Sequence, residues 1–419
     1  MIRILHFADA HIDMAAGQGR HDPATGLPLR VLDFLQALDV IVDAAIREKV
    51  QMVIFAGDAY KDRNPSPTYQ REWGRRMMRL SQANIPTLLV VGNHDLSPAV
   101  GKANTLHEFD TLQVPFIRVI AKPELLKPDD LWGLPVQVIG LPWITRSGFL
   151  AAQDPGEIEH GKVNNELESI LDDLIKQWIG KADPELPLIL AAHASVQNAV
   201  YGNERSVMLG SDLILPGSLV MDGRFDYVAL GHIHRGQDVN IGHQPPVIYP
   251  GSIEKVDFGE AQEKKYYVIA EVGKGETRYE FRELPGRKFY DRFLRFDKDE
   301  KMPSAEEFRT RMISTLPAPD EMKDAIVRLI MEYPRSWEGL VDEPEIRQFA
   351  AGALEFHFIR RPQIEARIRL SGDRSLSSLP PKEILVEYFK MLKTPDEDIA
   401  ALDPLIDEVI RQSRMVIGE

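Results

Sequence analysis

The sequence predicts a layered α/β domain, then a small α+β domain, then a helical tail. Three observations carry that reading. Over residues 1–284, short apolar strand-like runs alternate with helical patterns. Over 285–370, strand-like pieces (Phe293 to Phe296, Ala325 to Met331, Leu354 to Arg360) mix with one or two helices. A polar break at 371–381, rich in Ser, Gly and Pro, reads as a linker before two helices within 382–419.

Ile2 to Ala8 is the first predicted strand, and a polar loop through Pro28 follows it. Leu35, Leu38, Val42, Ala45 and Ile46 recur on one helical face. Gln51 to Ala56 is the second strand, and Pro65-Ser66-Pro67-Thr68 opens a helix that runs to about Ala83. Ile85 to Val91 is the third strand, Asn104 to Leu112 a short helix and Val136 to Leu141 a strand. Asn164 to Ile179 is a helix with Leu167, Ile170, Leu171, Leu174 and Ile175 turned inward. Strands follow at Leu188 to Ala192, Tyr227 to Leu230, Val247 to Tyr249, Tyr266 to Ala270 and Arg278 to Leu284. In the tail, Lys382 to Leu392 carries Ile384, Leu385, Tyr388, Phe389 and Leu392. Pro404 to Arg414 has Asp403 as its N-cap.

A chain of 419 residues can bury a large core. It has no cysteine, which excludes disulfides and thiolate metal sites and leaves nitrogen and oxygen ligands for any metal. The apolar stretch at the amino terminus is too short for a signal peptide, and no run approaches the ~20 apolar residues of a membrane span. The expectation is a cytoplasmic protein with no membrane attachment. The net charge of −14 argues against a protein that coats itself in nucleic acid, but a metal cluster can attract phosphate on an acidic background.

Five apolar runs end in metal-capable side chains: Asp9 with His11, Asp58, Asn93 with His94, His193, and His232 with His234. Open α/β sheets place their chemistry at the carboxyl ends of strands, where these groups fall. In the pairs Asp9/His11 and His232/His234, an extended backbone would turn both side chains to one side. A lone histidine ending a strand is ordinarily a satisfied structural residue. Five such groups of complementary type point to a shared site. A bridging Asp58 would hold two divalent ions ~3.5–4 Å apart, the spacing of two-metal hydrolases. Such ligands suit Mn²⁺, Fe²⁺ or Zn²⁺.

In order, Asp9-Ala10-His11, Gly57-Asp58, Gly92-Asn93-His94-Asp95, His193 and Gly231-His232-Ile233-His234 resemble the signature of calcineurin-like metallophosphoesterases. That fold is a β-sandwich flanked by helices. Phe55-Ala56-Gly57-Asp58, Tyr227 to His234, and Tyr249-Pro250-Gly251-Ser252 through Phe258-Gly259-Glu260 are similar to one branch, the SbcD-type nucleases of DNA double-strand-break repair. The resemblance implies one metal on Asp9, His11, Asp58 and His234 and a second on Asp58, Asn93, His193 and His232, usually Mn²⁺. His94 would assist the leaving oxygen, a role suited to a side chain that carries a proton near pH 7. Asp95 would orient His94 or lie solvated at a turn. Lys61 stands where many relatives have a histidine that handles the substrate phosphate.

The implied domains are a nuclease domain over 1–284, a DNA-binding capping domain over 285–370, a linker over 371–381 and a partner-binding tail over 382–419. The implied function is a metal-dependent DNA exonuclease and endonuclease that works as a homodimer. Its tail would bind an SMC-like coiled-coil ATPase of the SbcC type. Arg71, Arg75 and Arg79 form a helical stripe that either tracks phosphates or pairs with acidic neighbours, the second being favoured. Trp73, Met77, Met78 and Leu80 are candidates for the dimer contact or for the core. Arg360, Arg361, Arg367 and Arg369 are candidates for DNA. The alternatives are a phosphoesterase acting on nucleotides or phosphoproteins, and a non-catalytic scaffold for an ATPase.

Overall fold

The computed structural model describes residues 1–15, 19–96, 102–144, 163–202, 214–297, 300–363 and 380–391, with positions 395, 399, 402 and 404–406. Two mixed six-stranded sheets dominate it. The first runs Thr277–Glu283, Tyr266–Val272, Ile2–Phe7, Met52–Phe55, Thr87–Val90, Ile117–Ile120. The second runs Gln237–Asp238, Val247–Tyr249, Tyr227–Gly231, Leu188–His193, Gln137–Leu141, Glu124–Leu126. At the centre of each sheet the strands are parallel, with Phe7 beside Phe55 and Gly231 beside His193. Two short strands, Ser195–Val196 and Ile214–Leu215, form a further parallel pair.

Strand alternation explains the layers. Ile2, Ile4, Ile54, Leu88 and Val90 from the first sheet meet Val138, Ile189, Tyr227, Ala229 and Ile248 from the second in one apolar layer. Leu5, Phe7, Val53, Phe55 and Leu89 point the other way, onto helices Leu29–Arg47 and Pro67–Gln82. Leu190, Ala192, Val228 and Leu230 do the same with helix Val163–Lys181. Sheets covered on both faces need continuously apolar strands, which is why these runs stand out in the sequence. Each fully buried aliphatic side chain contributes roughly 1.5–3 kcal/mol.

A polar link crosses the inter-sheet layer. His6 places Nδ1 3.1 Å from the Tyr227 hydroxyl and Nε2 3.2 Å from the Leu230 carbonyl. Burial drives its pKa down to about 3, so the ring is a neutral bridge at neutral pH, with Nε2–H donating to the carbonyl.

The chain divides into two compact units. The first comprises Met1–Leu294, Glu306–Ile330 and Asp342–Ile359; the second comprises Arg295–Ala305, Met331–Val341 and Arg360–Glu419. Phe289–Arg295, Ile326–Pro334 and Glu355–Gln363 make a separate three-stranded sheet in that order. In the first unit, Phe289, Ile326 and Leu354 bury against Ala261 and Phe258. In the second, Phe296 packs on Trp337, and Arg360 and Arg361 pair with Glu338 and Glu332.

Several expectations shift. Ile170, assigned inward, is 41% exposed, because the helix turns Leu171, Ile175 and Ile179 to the sheet instead. The strand Ile117–Ile120, unforeseen, hides behind the turn at Pro115-Phe116. The arginine stripe is an ion-pair network. Glu72 receives Arg71, Arg75 and Arg76, and Asp39 receives Arg76 and Arg79. Trp73, Met77 and Leu80 lie in the core, which takes them out of any dimer contact. Pro381, placed in the linker, opens helix Pro381–Met391. Residues 371–379 of the linker, Arg367, Arg369 and most of the last helix lie outside the described residues. Among the described residues, no helix is long and apolar enough to cross a membrane.

Candidate metal centre

The parallel strands Ile2–Phe7, Met52–Phe55, Thr87–Val90, Leu188–His193 and Tyr227–Gly231 release their chains at one end of the sandwich. There the structure brings Asp9, His11, Asp58, Asn93, His193, His232 and His234 together. Ligand atoms of Asp9, His11 and His234 lie within 4.8 Å of one another, as do those of Asp9, Asp58 and His193.

The backbone that delivers them is not extended. Asp9 (φ 50°), His11 (φ 38°), Asp58 (φ 64°) and His232 (φ 99°) all take positive φ. The expectation that Asp9/His11 and His232/His234 converge through an extended i, i+2 backbone is therefore corrected: left-handed turns aim them. Such residues cost about 1–3 kcal/mol each unless their surroundings hold them. Here the surroundings do. Asp9 N donates to Gly57 O at 2.9 Å, and Ala10 N to Asp58 O at 2.8 Å. His232 N donates to both Asp9 carboxylate oxygens at 3.0 Å. Two glycines are needed for close approach. A Cβ on Gly57 (φ 100°) would strike the His193 ring, and one on Gly92 would strike the Asp58 carboxylate.

Asp95 is the brace of the cluster. It is fully buried, and its carboxylate accepts from Gly92 N and Asp58 N at 2.9 Å and from Ala59 N at 3.0 Å. It thus clamps the Asp58 loop to the Asn93 loop, and it neither orients the His94 ring nor sits solvated. Burial, with Asp58 nearby, pushes its pKa up to about 6.

Three imidazoles share one arrangement. His11 Nδ1 faces Tyr60 O at 3.1 Å, His193 Nδ1 faces Ala56 O at 2.6 Å, and His234 Nδ1 faces Glu260 Oε1 at 2.9 Å. Each Nδ1–H donates to an oxygen and leaves Nε2 for the cluster, as metal-binding histidines do. His193 Nε2 lies 3.0 Å from Asn93 Oδ1 and 3.4 Å from Asp58 Oδ2. Asn93 Oδ1 also lies 3.1 Å from His232 Nδ1. Asp58 Oδ2 reaches His11 Nε2 at 3.7 Å, so this carboxylate stands between the two halves of the cluster.

The donor set fits divalent cations on a specific observation. With both Nδ1 atoms committed, the Nε2 lone pairs of His11 and His234 face each other at 3.2 Å. Something positive must separate them. Burial lowers the pKa of His234, but the Glu260 hydrogen bond outweighs it and lifts the value to about 9, so a proton can serve. Burial holds His11 down at about 3, the partner that accepts. Burial would raise Asp58 too, yet His193 and its neighbours hold that carboxyl well below the usual range. Asp58 in turn lifts His193 to about 9 against its burial. Burial pushes Asp9 up to about 6. The same carboxylates and ring nitrogens, freed of their protons, form a buried nitrogen and oxygen donor set that could hold a divalent cation.

His94 borders the cluster, its ring edge-on to that of His11 at 5.1 Å between centres. It is half-buried, its N–H donates to Asp58 Oδ1 at 2.9 Å, and its Nδ1 meets Lys61 O at 2.7 Å, which leaves Nε2 for a substrate.

Two contributors escaped the sequence reading. Glu260 fixes the His234 ring and is itself held by Lys265 at 2.8 Å and Val256 N at 2.9 Å. Its one signal was its place in the Phe258-Gly259-Glu260 segment. Trp143 lies 4.8 Å from the His232 ring, ring centre to ring centre, with its backbone N–H donating to Val91 O. The signal there was a tryptophan just past a strand.

A family profile described as calcineurin-like phosphoesterase matches residues 2–236. The chain is 26% identical over 283 residues to an Escherichia coli protein named as a component of the nuclease SbcCD, covering 66% of each. It is 25% identical over 302 residues to DNA double-strand break repair protein Mre11 of Methanosarcina acetivorans, covering 72% of this chain and 41% of that one. It is 24% identical over 285 residues to the uncharacterized metallophosphoesterase YhaO of Bacillus subtilis, covering 67% of this chain and 60% of that one. The chain therefore spans at most about two thirds of the length of these relatives.

Proposed function

The chain belongs to the calcineurin-like phosphoesterase family, and on that premise we propose that it is a divalent-metal-dependent DNA phosphodiesterase, an exonuclease and endonuclease of double-strand-break repair. The observation that carries the reading is the gathering of seven nitrogen- and oxygen-bearing side chains, Asp58 among them, with a half-buried His94 beside them. The likeness to proteins named for the nuclease SbcCD and for Mre11 directs it to DNA.

In this reading Asp9, His11, Asp58 and His234 hold one cation, and Asp58, Asn93, His193 and His232 the other, with Mn²⁺ favoured for its tolerance of mixed oxygen and imidazole ligands. Two such cations supply charge to phosphate oxygens and acidify water. The chain's own part is positional. Asp95 and the glycine contacts fix the Asp58 loop, Glu260 fixes His234, and His94 Nε2 hands a proton to the leaving oxygen. The exposed Tyr388 on helix Pro381–Met391 (51%) and the exposed Leu405 (61%) support a tail that docks on a coiled-coil ATPase, within a dimeric assembly.

Mn²⁺ added to metal-free protein should restore digestion of linear and hairpin DNA, followed on a denaturing gel. Hydrolysis of small phosphodiesters without any attack on DNA would leave a phosphoesterase of another substrate class.

A further inference from the structure

A cleft of about 690 Å³ lies within the first unit and outside the ligand cluster. It begins at Lys61, whose carbonyl meets His94 Nδ1, and extends to residues 355–359 of the small sheet. Four cations line it, Arg30, Lys61, Arg328 and Arg347, against two carboxylates, Asp257 and Glu355. The chain as a whole carries a net charge of −14, and most of these cations are balanced by carboxylates of their own. Three of the cations are pinned: Arg30 on Asp33, Arg328 in a two-point pair with Asp291, and Arg347 on Glu343. Among the described residues, no carboxylate pairs with the Lys61 ammonium.

The far wall is aromatic. The His357 side chain is 45% exposed and meets the Phe258 ring edge-on at 5.5 Å. The Arg328 guanidinium lies over Phe258 at 4.2 Å, and Phe289 backs it at 5.4 Å. These contacts hold the rings in place before anything binds. Rigid ring faces next to cations suit an unpaired nucleotide, whose base stacks while its phosphate meets positive charge. A base inside a duplex has both faces covered by its neighbours and cannot enter.

We propose that this cleft takes one unpaired nucleotide of a DNA strand, its base stacked on the exposed His357 ring, which Phe258 supports edge-on, and its phosphate beside Lys61. The strand held there leads to His94, so the centre acts on ends that carry a single-stranded stretch. The proposal rests on the reading of the site as a DNA phosphodiesterase.

The test is binding of single-stranded oligonucleotides with 2-aminopurine at either terminus to the full chain in EDTA. Stacking quenches the fluorescence. Wild type should quench one of the two, His357→Ala should bind that strand about tenfold more weakly, the loss of one base–aromatic stack, and His357→Tyr should restore it. Equal affinity for His357→Ala, equal quenching by a fully paired duplex, or no quenching by wild type would overturn the proposal, the last also if the chain's own residues fill the cleft. Quenching without Mn²⁺-dependent cleavage of the same strand would refute the nuclease reading and leave the cleft assignment standing. Cleavage without quenching would do the reverse.

Discussion

Asp58→Asn is expected to lower turnover of bis(p-nitrophenyl) phosphate by about 10³-fold or more, with bound metal falling below two ions per chain. The side chain keeps its size, so the loss isolates the charge. Asp58 is buried, with one oxygen on the His94 amide and the other between His193 and His11. Lewis-acid stabilisation by a cation is worth several kcal/mol, and about 1.4 kcal/mol is tenfold in rate. Losing the carboxylate that both halves of the cluster share should forfeit most of that. Metal analysis and steady-state kinetics check it together. Activity within tenfold of wild type would show that the two halves work without Asp58.

His94→Gln should behave differently. Turnover should fall about 10²- to 10⁴-fold, the usual contribution of a positioned general acid, while the metal content stays at the wild-type level. The reason is geometric. His94 touches the cluster through its backbone N–H and through the edge-on contact of its ring with His11, and the ring is anchored on the Lys61 carbonyl, so none of its atoms is needed to hold a cation. The fall should be smaller for a substrate whose leaving group is a weak base, such as p-nitrophenolate, than for a DNA phosphodiester. Loss of metal in this variant, or an equal fall for both leaving groups, would remove the proton-donor role.

How much of this was visible in the sequence depends on the kind of interaction. The strands were legible because both faces of each sheet are covered, so the runs leading to Phe7, Phe55, Val90, His193 and Gly231 are mostly apolar. The polar groups after them were therefore conspicuous. The pairing of Asp9 with His11 was seen, but its cause was not, since positive φ at both residues comes from hydrogen bonds to Gly57 and Asp58, far along the chain. Asp95 shows the same limit. Beside His94 in sequence it looked like a support for that ring, and its three amide partners on two loops could not be read from local spacing. Glu260 and Trp143 reach the centre only through tertiary contact. Ile170 shows where periodicity alone falls short: a helix face wide enough for it was predicted, and the sheet covers a narrower one.

The arginine stripe shows the reverse. Its spacing admitted phosphate tracking, but Glu72, Asp39 and Asp43 take up its charges. In the cleft Arg30, Arg328 and Arg347 are likewise taken up by Asp33, Asp291 and Glu343, and among the described residues Lys61 is the lining cation with no carboxylate partner, which is why the proposed nucleotide's phosphate is set beside it.

The most direct measurement is anomalous scattering from crystals of the chain grown with Mn²⁺. Two peaks ~3.5–4 Å apart are expected, both within bonding distance of Asp58, one beside His11 and His234 and the other beside Asn93, His193 and His232. A single peak, or two that do not share Asp58, would contradict the two-cation centre.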